Sequence, residues 1–160
     1  VRDALKENAS AIEEGKADIL GLYMVTSLLD SGELTEGQLE DYYITFMASI
    51  FRSVRFGASS AHGKANMLRF NFFEEMGAFT REESGQYRVN IDKMKEAMTA
   101  LTQKILQLQG DGNYDATARF IDEKGNVGPQ LQADLERVNR AGIPTDIVFQ
   151  QGMEVLGLEK

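Results

Sequence analysis

The chain has 160 residues, 42% hydrophobic and 26% charged, and its 17 Lys and Arg against 25 Asp and Glu leave a net charge of −8. A chain of this length buries roughly 68–70% of its unfolded surface, so one domain can form without a disulfide, and the absence of Cys removes thiolate nucleophiles, Cys-ligated zinc and iron–sulfur clusters. The negative balance argues against duplex nucleic acid and anionic lipid as partners, since both bind through clustered Lys and Arg.

Residues 2–29 carry Ala4, Leu5, Ile12, Leu20, Tyr23 and Leu28 near helical spacing and predict a first helix ended by Asp30-Ser31-Gly32. Its apolar run 19–29 is interrupted by Gly21, Thr26 and Ser27 and falls short of the ~20 apolar residues of a membrane span. Thr35-Glu36-Gly37-Gln38 has the form of a capping box for a second helix. The stripe Leu39, Tyr43, Phe46, Met47, Ile50, Phe51 and Val54 follows the 3.6 period, with Arg52 and Arg55 off it. After Phe56-Gly57, Ser59 or Ser60 can cap a third helix through Ala61, Ala65, Leu68, Phe72 and Phe73 to Gly77, placing His62 in its first turn.

Period-two spacing around Phe79 and at Tyr87, Val89 and Ile91, with Ser84-Gly85 as a turn, predicts a small hairpin. Asp92 is positioned to cap a fourth helix along Met94, Met98, Leu101, Ile105 and Leu108, stopped by Gly110. Short helices are expected over 114–124 and 129–140, since Pro suits a first helical turn and Gly a C-terminal cap, and the tail from Ile143-Pro144 reads as irregular. The fold class is therefore mainly α: a single helical domain of five to six helices with one possible β-hairpin.

The candidate chemistry is sparse. Glu13, Glu14 and Asp18 cluster on the first helix, and Glu14 and Asp18 are i,i+4 like charges that repel unless water or a cation intervenes. Their plain alternative is a solvated helix face. His62 is the single His, so it cannot complete alone a zinc site of three protein ligands, which usually uses two or three. A helix N-terminus disfavours imidazolium and keeps a neutral ring available as donor or ligand; the alternative is a hydrogen-bonded, partly buried side chain. Arg52 and Arg55 have the guanidinium fork that matches a substrate carboxylate or the Glu cluster, though ordinary surface salt bridges account for them better. Met94, Met98, Phe70, Phe72 and Phe73 are assigned to the core by their spacing. No phosphate-cradling glycine loop, Ser-His-Asp set or EF-hand is present.

The run Glu13-Glu14-Gly15-Lys16-Ala17-Asp18 resembles the second signature of the dipeptidyl peptidase III family of zinc metallopeptidases, a Glu-Glu-x-Arg-Ala-Glu/Asp hexapeptide, with Lys16 in place of Arg. Downstream, Ala61-His62-Gly63-Lys64-Ala65-Asn66 is similar to that family's Ala-His-x-x-Ala segment, at a separation the family shares; Asn66 stands where some relatives have Arg. The resemblance implies that Glu14 is the carboxylate zinc ligand, that Glu13 and Asp18 accept the outer N–H of the ligating imidazoles and so fix their tautomer, and that His62 faces the substrate near developing negative charge.

The family's two His ligands and general base come from a His-Glu-x-x-Gly-His motif, where the Glu activates zinc-bound water. This chain contains no such segment. The sequence also opens at Val1 without an initiator Met. The expectation is thus that residues 1–160 are the helical C-terminal part of a metallopeptidase catalytic region, a fragment inactive alone. In the full-length protein it would serve a zinc-dependent exopeptidase hydrolysing peptide bonds near peptide N-termini. Zinc is expected in that full-length protein and not tightly in the fragment. The implied partners are a peptide substrate and the missing N-terminal part of the same chain, with self-association of the fragment through the uncovered surface, and a cytoplasmic location. The alternative is a non-catalytic helical scaffold or interaction module.

Overall fold

Short polar side chains start three of the helices by accepting backbone N–H groups that the first turn leaves without partners. The elements of the computed structural model, which describes residues 1–144 and 149–158, run in chain order as α1 (Arg2–Leu5), a 3-10 turn (Lys6–Asn8), α2 (Ala9–Asp30), α3 (Leu39–Val54), α4 (Ala61–Glu75), β1 (Phe79–Arg81), β2 (Tyr87–Val89), α5 (Ile91–Asp111), α6 (Tyr114–Lys124) and α7 (Pro129–Arg140). Ser60 caps α4 through Gly63 N at 3.0 Å, Asn90 caps α5 through Lys93 N at 3.1 Å, and Asn113 caps α6 through Ala116 N at 3.0 Å. The mainly α fold with one antiparallel hairpin agrees with the sequence expectation.

Three local details differ from it. The first helix is not continuous: Lys6 takes φ 50°, which separates α1 from α2. The break lets Leu5 bury completely, places the Lys6 ammonium 5.2 Å from the Tyr114 ring centroid, and brings the Tyr114 hydroxyl to the Glu7 carboxylate. Packing against α6 outweighs the helical spacing. The capping box lies three residues later than expected, because a bend at residues 36–37 precedes the helix; Asp41 Oδ2 accepts Gln38 N at 3.2 Å. Likewise Asn90 rather than Asp92 caps α5, and that helix continues through Gly110 to end at Gly112, whose φ of 59° glycine adopts without a Cβ penalty.

α2 is the central helix and lies against both α4 and α5. Its buried positions Ile12, Gly15, Ile19 and Leu22 meet Ala65, Leu68, Met98, Leu101 and Ile105 in one continuous core. The predicted α3 stripe is turned inward, with Tyr43, Met47, Ile50 and Val54 buried and Leu39, Phe46 and Phe51 partly so. The hairpin pairs Phe79 with Val89 and Arg81 with Tyr87. It closes one end of the bundle through an aromatic cluster in which Phe70 and Phe79 centroids are 4.8 Å apart and Phe51 and Tyr87 4.9 Å. Part of the predicted irregular tail, residues 145–148 and 159–160, lies outside the described residues; Ile143 and Pro144 have no regular structure. Among the described residues no helix is long and apolar enough to cross a membrane.

Candidate functional site

The α2–α4 crossing brings the two sequence motifs together. Gly15 carries no side chain there: a Cβ on it would lie 3.5 Å from Ile105 Cδ1 and 3.9 Å from Ala65 Cβ. With α4 this near, Glu14, one residue before Gly15, meets His62, one helical turn before Ala65 and Asn66. His62 Nδ1 lies 3.3 Å from Glu14 Oε2, and the two side chains are 63% and 40% exposed. The α4 N-terminus is fixed from behind by Gly63, where a Cβ would come within 2.6 Å of Ala58 Cα. Only glycine admits that approach of the backbone at Ala58 to the first turn of α4.

The repulsion between Glu14 and Asp18 is relieved by a cation that the sequence analysis did not single out. Arg69 Nη1 lies 2.8 Å from Asp18 Oδ2, with the Arg69 side chain 3% exposed and Asp18 42% exposed. Burial pulls the guanidinium below the ordinary arginine value, opposed by Asp18 and then Glu14; arginine remains the charged partner even so. Arg69 Nη2 donates to Asn66 Oδ1 at 2.6 Å, and Asn66 Nδ2 donates to Ser53 Oγ at 2.7 Å and to the His62 carbonyl at 2.9 Å. The Phe46 ring centroid lies 5.5 Å from Arg69. A charge within the apolar run Met67-Leu68-Arg69-Phe70 was the available sequence signal, since a buried charge needs a partner.

The other predicted residues fall as follows. Glu13 is turned toward α5, accepting Lys16 Nζ at 2.6 Å and the Gln109 amide; Lys16 first and Gln109 second hold its carboxyl below the usual range. Arg55 binds Asn139 Oδ1 at 2.6 Å and the Ile143 and Pro144 carbonyls, so it ties the end of α3 to the chain beyond α7 instead of joining the acidic cluster. Met94, Met98, Phe70 and Phe73 are core residues, and Phe72 packs partly buried against them.

One concave surface borders the site at Asp18 and another lies apart from it. A groove of about 540 Å³ runs between α2 and α3 from Asp18 past Gly21, Leu22 and Val25 to Tyr42, Thr45 and Phe46. On the far side, α3, β2 and α7 enclose about 390 Å³ lined by Ile44, Met47, Phe51, Tyr87, Val89, Asp134 and Val138. At the wall of the second cavity Asp134 receives Arg81 Nε at 2.7 Å, Arg81 Nη2 at 3.0 Å and the Tyr87 hydroxyl at 2.7 Å. The Arg81 guanidinium, with help from Tyr87, holds the Asp134 carboxyl far below the carboxylate range, whereas burial and then Asp134 push the Tyr87 phenol up.

Among the described residues no three His, Cys, Asp or Glu side chains gather as a metal-holding group. What is present fits one corner of a zinc site. Glu14 is a half-exposed carboxylate with the His62 imidazole beside it, and its carboxylate has acceptor positions open to an oxygen-binding cation.

No family model matches the chain. Its structure is similar to dipeptidyl-peptidase III from Corallococcus sp. strain EGB, with a TM-score of 0.83 and 40% identity, covering 87% of this chain and 26% of that one. It is also similar to DPP III from Caldithrix abyssi, with a TM-score of 0.86 and 32% identity, covering 99% of this chain and 30% of that one. In sequence it is 38% identical over 147 residues to Nudix hydrolase 3 of Arabidopsis thaliana, covering 92% of this chain and 19% of that protein. In both fold and sequence the chain is dipeptidyl-peptidase III-like, and it spans 26–30% of the length of those solved relatives. The chain spans 19% of the length of that Nudix-named protein.

Proposed function

We propose that the chain supplies part of the catalytic centre of a zinc-dependent exopeptidase of the dipeptidyl-peptidase III type, acting near peptide N-termini, as the C-terminal helical part of its catalytic region. The observation that carries this reading is the 3.3 Å approach of His62 Nδ1 to Glu14 Oε2 across two helices, in a chain 40% identical to one such peptidase. Glu14 would be the carboxylate ligand of the metal. Bound zinc would supply Lewis acidity and lower the pKa of a coordinated water.

The chain's own residues orient and bind. Asp18, pinned by Arg69 on one side and 42% exposed on the other, is suited to accept an imidazole N–H from a ligand outside this chain. Glu13 has two donors on its carboxylate and about four lone-pair positions in all, so it can accept a further N–H. His62 is exposed beside Glu14 and can donate a hydrogen bond toward charge developing on a substrate carbonyl. The two His ligands and the general base lie outside these residues, so the isolated chain is expected to be inactive and to hold zinc weakly.

In the full-length parent protein, Glu14→Ala should lose bound zinc and dipeptide release together. Retention of both at the parent level overturns the assignment. The apolar groove between α2 and α3 favours a second reading, a non-catalytic helical module that receives a partner helix; a full-length protein that binds no zinc would support it.

A further inference from the structure

We propose that Arg69 is a positioning residue of this site, acting through Asp18 and aimed by a polar chain that runs from the exposed Ser53 through the buried Asn66. The inference rests on the reading of Glu14 and Asp18 given above and adds to it a residue outside both sequence motifs.

The geometry is specific. Arg69 is 2% exposed in a core of Met67, Leu68 and Phe70, and its Nε and Nη1 are buried without a hydrogen bond. Nη1 nonetheless approaches Asp18 Oδ2 to 2.8 Å, a charge pairing made inside the core. Asp18 is 42% exposed on its other side, and the remaining lone pairs of its carboxylate leave it free to accept a further donor there. A guanidinium is costly to bury, and here its plane is set by Nη2 on Asn66 Oδ1 at 2.6 Å. Asn66 is itself fixed by Ser53 on α3 and by the carbonyl of His62.

Three helices thus converge on one charge: α3 through Ser53, α4 through Asn66 and His62, and α2 through Asp18. Arg69 lies three residues after Asn66 on the same helix and donates to it.

The test is a double-mutant cycle on zinc affinity in the full-length parent protein, measured by chelator competition. Arg69→Met should weaken zinc binding by about 10–100-fold, the range for loss of a group that orients a ligand, and Asn66→Ala should weaken it less. Both losses should vanish when introduced into Asp18→Asn, since each acts through that carboxylate. A purely structural role would give losses that persist undiminished in Asp18→Asn, and that result overturns the proposal. Zinc affinity within twofold of the parent in both single variants overturns it as well. If Arg69→Met does not fold, Asn66→Ala and its Asp18→Asn combination decide alone. Glu14→Ala run in parallel separates the two levels: unchanged zinc binding there refutes the proposed function, whereas its loss together with silent Arg69 and Asn66 variants refutes only the positioning role.

Discussion

Gly15 on α2 and Ala65 on α4 face each other across the helix crossing, with the Gly15 Cβ direction ending 3.9 Å from Ala65 Cβ and 3.5 Å from Ile105 Cδ1. A methyl group fits that gap and a larger side chain does not. Gly15→Ala should therefore be neutral or stabilise by up to about 1 kcal/mol through helix propensity. Gly15→Leu should overpack and cost about 1–3 kcal/mol. Denaturant unfolding of the two variants checks the sign, and a crystal structure of Gly15→Leu should show Glu14 and His62 moved apart.

The α4 N-terminus that carries His62 depends on one hydroxyl. Ser60→Ala removes the acceptor for Gly63 N and should cost about 1 kcal/mol, which for a chain of this size lowers the melting midpoint by about 2–4 °C. Ser60→Asp keeps an acceptor and should melt close to the parent. Equal losses in both variants would show that the cap is not the cause.

The cluster around Asp134 makes stability depend on pH at both ends. Its carboxyl is held below its unfolded value, mainly by Arg81, so the stabilisation is present above the unfolded pKa of about 3.9 and is lost as pH falls toward the folded value. The Tyr87 phenol is pushed above its unfolded value by burial and by Asp134. Its contribution is present below about pH 10 and is lost as pH rises beyond that. Asp134→Asn should flatten the acid side of the melting-temperature profile, and Tyr87→Phe the alkaline side. A profile unchanged at both ends in the two variants would contradict the assignment.

His62 touches Glu14 without being an expected zinc ligand. In the full-length protein His62→Ala should lower kcat by about 10²–10³-fold, the magnitude for removing one donor to a developing oxyanion, with zinc content unchanged. Metal analysis of the purified variant beside steady-state rates distinguishes this from Glu14→Ala, where zinc content also falls.

Helix order and the core stripes were legible because both are local. Met94, Met98, Leu101 and Ile105 announce one buried face by their spacing, and they are buried. The helices over 114–124 and 129–140 have the predicted bounds because Gly and Pro act through the backbone at their own positions. The helix break at Lys6 was not legible, since its cause is burial of Leu5 and contact with Tyr114 on α6. For the site, Glu14 and His62 could be singled out as residue types in short motifs, but no spacing rule says which carboxylate an imidazole reaches across two helices.

By itself the amino-acid order determined the helical class, the faces that turn inward and the two short motifs, because helical periodicity and capping are settled within a few residues of each other. Only the tertiary structure decided that Arg69 answers Asp18, that Arg55 binds the chain beyond α7 instead of the acidic cluster, and that Arg81 and Tyr87 converge on Asp134. Each of those choices is a pairing between distant segments, and a polar or charged side chain takes whichever acceptor or donor the packing of the helices sets beside it.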